Sequence, residues 1–89
     1  MRAVITVIGK DKVGIIAAVS EVLAGAGVNI LDISQTTMQD VFTMIMLTDL
    51  SASADSFLQL ATKLEQTGER LGLSIRIQRE DIFNSMHRI

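Results

Sequence analysis

An 89-residue chain is long enough for one hydrophobic core and too short for two. Hydrophobic residues make up 48% of it and aromatic residues only 3%, so the core must be built from Val, Ile, Leu, Ala and Met, a composition that excludes disorder. The formal net charge of -2 is interspersed along the chain, with no basic stripe for a phosphate backbone, and the lack of cysteine removes disulfides, thiolate metal sites and thiol nucleophiles.

Ala3 to Ile8 is a short β-branched run, apolar on both alternating faces, and predicts a central strand buried from two sides. Val13, Ile16, Val19 or Ser20, Leu23 and Ala26 recur at helical spacing, with Gly25 and Gly27 marking the end of a first helix. Val28 to Met38 reads as a more polar strand with Asp32 and Ser34 on one face, as expected for a sheet edge. Gln39 and Asp40 predict a turn, and Val41 to Leu50 a strand that is again apolar on both faces.

Ser51 and Ser53 offer caps for a second helix, whose stripe is Phe57, Leu60 or Ala61, Leu64 and Leu71, weakened at Gly68 and stopped at Gly72. Leu73, Ile75 and Ile77 alternate with Ser74, Arg76 and Gln78, the pattern of a strand with one wet face. Ile82, Phe83, Met86 and Ile89 share one side of a short tail helix that could dock on the sheet or on a neighbouring subunit.

The order βαββαβ, with strands one and three doubly apolar and strands two and four half polar, predicts a ferredoxin-like α+β sandwich. Its antiparallel sheet order is 4-1-3-2, with two helices on one face. Residues 1–80 form the domain and residues 81–89 a short C-terminal helical tail. Two helices cover only one face of such a sheet, so the apolar residues on the other face predict a homodimer or higher oligomer.

The turn Ile8-Gly-Lys-Asp-Lys-Val-Gly14 is the most informative motif. Glycines at its two ends would let a ligand approach the backbone, and free N–H groups at the helix start, those of Val13, Gly14 and Ile15, would face a carboxylate along the helix dipole. Asp11 suits an α-ammonium group; it also suits a plain helix cap, and the two roles are compatible. The spacing of Gly9 and Gly14 matches a phosphate loop, but Ile15 and Ile16 stand where that motif needs Lys and Ser or Thr.

Together the strand, G-K-D-K-V-G-I-I, the helix, and G-A-G-V-N-I opening the second strand resemble an ACT domain over nearly the whole chain. The resemblance is greatest to small free-standing bacterial ACT proteins related to glycine-cleavage regulators, whose chains often end much as N-S-M-H-R-I does. It implies a regulatory module that binds an amino acid where two domains pair side by side. It also implies ligand contacts at Asp11, Val13, Gly14, Ile15 and Asn29. The Asn29 amide offers a donor and an acceptor, although an Asn after Gly27 also suits a turn conformation. Lys10 and Lys12 are either solvated charges or a preference for an anionic ligand.

The expected function is therefore an amino-acid-binding regulator, acting as a homodimer on a partner protein; the alternative is a ligand-independent dimerisation or interaction module. No catalytic residue, metal or cofactor is expected. A lone His87 has no companion ligands, acylphosphatases of this topology need a positioned Arg and Asn, and RNA-binding relatives need aromatic platforms where only Phe42 stands. Met38, Met44 and Met46 suit core filling or an adaptable interface. No run approaches the ~20 apolar residues of a membrane span, and the N-terminus reads as a strand, so a cytoplasmic protein without membrane attachment is expected.

Overall fold

In the computed structural model, which describes residues 1–86, the apolar runs form strands and the apolar stripes form helices in the expected order. Strands are β1 (Arg2–Lys10), β2 (Asn29–Met38), β3 (Val41–Asp49) and β4 (Leu73–Arg79); helices are α1 (Ile15–Ala26), α2 (Phe57–Leu71) and α3 (Glu80–Met86). The sheet runs β2-β3-β1-β4 and every pairing is antiparallel, the predicted order. Doubly apolar β1 and β3 occupy the centre because only central strands have both edges paired and both faces crowded.

The register separates the two faces. Ala3, Ile5 and Val7 of β1 lie in line with Thr48, Met46 and Met44 of β3 and form, with Phe42, Leu73 and Ile75, the floor of the core. Ile15, Val19, Leu23 and Ala26 of α1 and Leu60 and Leu64 of α2 close it from above. Thr48 is fully buried, and its hydroxyl donates to the Ala3 carbonyl at 2.9 Å, so no polar atom is stranded there. A bulge at Leu31 shifts the β2–β3 register.

Several local readings need correction. Helix α1 starts at Ile15, so Val13 lies outside it and is wholly exposed, and the buried stripe begins at Ile15 instead of Val13 and Ile16. Neither Ser51 nor Ser53 caps α2. Ser56 does, through a capping box in which its hydroxyl accepts from the Gln59 N–H and the Gln59 side chain accepts from the Ser56 N–H. The sequence shows this as S-x-x-Q directly before the apolar stripe.

Helix α2 runs unbroken through Gly68. Gly68 is buried, and a Cβ there would stand 2.7 Å from the Leu73 carbonyl oxygen and 3.3 Å from Ile75 Cγ1. That oxygen belongs to the backbone of β4, which the ladder to β1 holds in place. Alanine in a helix gains about 1 kcal/mol over glycine, but overpacking against a fixed backbone costs about 1–3 kcal/mol. Gly68→Ala is therefore expected to lower the urea midpoint at unchanged slope. A raised midpoint would mean that α2 and β4 separate freely.

The face away from α1 and α2 carries Val4, Thr6, Ile8, Thr43, Ile45 and Leu47. Helix α3 folds back across part of it: Gln78 Nε2 donates to Met86 Sδ at 3.3 Å, Arg2 pairs with Glu80, and Val4 is only 6% exposed. The tail thus docks on its own sheet, although Ile8, Val41 and Ile45 stay between 40% and 47% exposed. His87 and Ile89 lie outside the described residues. Met44 and Met46 fill the core, whereas Met38 is exposed at the end of β2.

Candidate functional site

The turn between β1 and α1 is held from two sides. The Asp11 N–H donates to the Asp40 carbonyl at 2.7 Å, tying the turn to the β2–β3 hairpin, and Lys12 Nζ donates to the Leu71 carbonyl at the C-terminal end of α2. An ammonium there meets the negative end of the helix dipole, so Lys12 has a structural role beyond a solvated charge. Between these anchors Gly14 takes φ 91°, ψ 3° as the N-cap of α1.

No side chain caps α1, so the reading of Asp11 as its cap fails. The first intrahelical bond runs from the Ala18 N–H to the Gly14 carbonyl at 2.9 Å, which leaves the N–H groups of Ile15, Ile16 and Ala17 without a helical acceptor. The Gly14 N–H, at the N-cap, likewise has no helical acceptor, so of the three expected donors Gly14 and Ile15 stand at the helix start and Val13 lies outside it. Nothing lies within 4 Å of a Cβ built on Gly14, so the space beside it is open. Gly9 differs: its φ is not positive, and its role is to admit Leu73, whose Cα would stand 3.3 Å from an added Cβ.

A cleft of about 400 Å³ opens here, lined by Asp11, Gly14 and Ile15 from the turn, Gln35 and Thr37 from β2, and Phe42 from β3. Ile15 is 2% exposed, so it presents its backbone to the cleft while its side chain joins the core. Val13 does not line the cleft. Asn29 stands at the other end of β2, across from Asp49, whose carboxyl is held below the ordinary range by the hydroxyl and N–H of Ser51. Within one chain the structure therefore assembles three of the five expected residues and leaves Val13 and Asn29 apart.

Gln35 and Thr37 escaped the sequence reading. Their signal was there: they follow Ile33 at period two on the helix-facing side of β2, where a closed core would take apolar residues. Alpha-helical cover stops short of this edge, and Leu31, Ile33 and Ile16 are 45%, 41% and 39% exposed along it. Among the described residues no cluster of His, Asp or Glu could hold a metal ion, and no helix is long and apolar enough to cross a membrane.

A ferredoxin-like sandwich whose first turn opens onto a cleft with free backbone donors defines a small domain with room for a small anionic ligand. More specifically, the chain belongs to the ACT-domain family, whose model matches residues 2–78. It is similar over its full length to UPF0237 proteins: 65% identical over 89 residues to one from Clostridium acetobutylicum, covering 100% of both chains. A UPF0237 protein of Methanocaldococcus jannaschii is 52% identical over 88 residues, covering 99% of this chain and 98% of that one, so the likeness extends beyond bacteria to archaea.

Among solved structures, an ACT domain protein from Streptococcus pneumoniae superposes with a TM-score of 0.81 at 44% identity, covering 93% of each chain. A protein assigned as a glycine cleavage system transcriptional repressor gives 0.74 at 26% identity, covering 86% of this chain and 44% of its own. Such domains are regulatory and bind small ligands such as amino acids.

Proposed function

We propose that this protein is a cytoplasmic amino-acid-responsive regulator that works as a homodimer paired along β2 and modulates a partner protein. The observation that carries the reading is the cleft beside Gly14, which unites a carboxylate at Asp11, free N–H groups at the start of α1 and the amides and hydroxyls of Gln35 and Thr37. An amino acid would place its carboxylate on the helix N-terminus, where dipole and donors both favour an anion, and its ammonium near Asp11.

Pairing along β2 would bring a second chain to the end of β2 where the cleft lies. β2 is an edge strand carrying exposed Leu31 at its bulge and exposed Ile33 on its helix-facing side. Antiparallel pairing of two copies sets the start of one β2, at Asn29, beside the end of the other, at Thr37, so Asn29 of the partner subunit comes to the same end of the interface as the cleft, on the sheet face away from the helices. In that register Asp32 lies across from Ser34 of the partner subunit and not from itself. A ligand held across such a joint shifts the protein towards the paired arrangement in proportion to its differential affinity.

Two measurements test this together. Thermal-shift assays against the twenty amino acids are expected to find at least one that stabilises the protein, with the effect removed by Asp11→Ala. Light scattering is expected to give a dimeric mass, reduced to a monomer by Ile33→Lys. Stabilisation by none of them, or a monomeric mass for the unaltered chain, would sink the reading. Dimerisation without any ligand response would leave a plain interaction module.

A further inference from the structure

We propose that the free edge of β4 is a docking site for an extended segment of a partner protein that carries Lys or Arg at alternate positions. It is separate from the amino-acid cleft, and it depends on the proposed regulatory role only for its biological use. β4 pairs with β1 alone, so alternate N–H and C=O groups along its outer side find no strand partner. A groove of about 470 Å³ follows that edge, bounded by Glu65 and Glu69 of α2 on one side and by Ser74, Arg76 and Gln78 on the other.

Charge decides the occupant. Glu65 and Glu69 are exposed, lie one helical turn apart and have no ion-pair partner among the described residues, so they repel each other mildly. Arg76, at the middle of β4, is likewise without an ion-pair partner. A second copy pairing over the whole of β4 would set Arg76 across from itself and bring the two Glu65–Glu69 rows together, which disfavours self-association. A strand with basic side chains towards α2 and an acidic one towards Arg76 satisfies all three charges while its backbone completes the ladder. The two edges of the sheet thus differ: β2 accepts its own copy, whereas β4 resists it.

Amide NMR of the full chain with a blocked heptapeptide tests the proposal. The peptide carries lysine at odd positions, threonine at even ones and a single central glutamate; a swapped peptide replaces the lysines with glutamates. Shifts and slowed exchange are expected along Leu73–Arg79 and at Glu65 and Glu69, with the lysine peptide binding about tenfold more tightly than the swapped one. In the Glu65→Lys, Glu69→Lys double variant the preference should reverse. Both positions are exposed, so the fold should persist, which circular dichroism checks.

Absence of binding at millimolar peptide, shifts centred on β2, or equal affinity for the two peptides would overturn the proposal. So would protection of β4 that rises with protein concentration alone, because a second copy would then be the occupant. No amino acid enters the experiment, so its outcome is independent of the ligand reading.

Discussion

Replacing Leu64 with alanine is expected to lower stability by about 3–5 kcal/mol, the upper part of the range for deleting a buried leucine side chain. Leu64 is fully buried in the middle of α2, which packs chiefly on β4. The floor of this half of the core is Ile5, Val7 and Ile75, on β1 and β4. β-branched side chains on paired strands have little rotamer freedom, so they cannot close over the gap. Leu23→Ala on α1 makes a useful contrast, because Met44 and Met46 on β3 belong to the same core and their unbranched side chains can lean into a void. It should cost less, about 2–3 kcal/mol. Urea denaturation of both variants measures the difference, and equal losses would show that the two halves of the core relax alike. With total stability for such a domain of about 5–15 kcal/mol, the Leu64 variant should be partly unfolded at 37 °C if the protein lies at the low end.

Gly14→Val should have the largest effect on function. At φ 91° a β-branched residue is an outlier, and holding it there costs about 1–2 kcal/mol of stability. Because nothing lies within 4 Å of an added Cβ, that backbone strain is the main folding cost. The added group instead occupies the open space at the cleft, so the stabilising response to an amino acid should disappear. Gly14→Asn separates the two effects, since Asn tolerates left-handed backbone and still fills the space. Its melting temperature should recover most of the loss while the ligand response stays absent. A normal ligand response in the Asn variant would place the ligand elsewhere.

Much of the fold was legible because the cues were local and repeated. Alternation along β4, the doubly apolar runs of β1 and β3 and the left-handed glycines at 27 and 72 each carry a short-range physical reason, and together they dictated the element order and the sheet order. Helix starts were less legible. Gly14 sits one turn from Asp11, the better cap by residue type, and only the path of the chain into the core chooses the glycine; Ser56 differs from Ser53 in having Gln59 three residues on, a local cue for the capping box.

The site divides in the same way. The opening of backbone donors at the start of α1 was legible from Gly14 and the chain direction, which are local, whereas Gly9 serves the close packing of Leu73, which is not. Tertiary structure alone decided the rest. Antiparallel pairing carries Gln35 and Thr37 to the turn while it sends Asn29 to the far end of the same strand. Close approach of β4 fixes why position 68 must be glycine, and the strand order leaves β2 and β4 as the two edges of the sheet. These are facts about distance between residues far apart in sequence, and such distances are set by the packing of the whole chain.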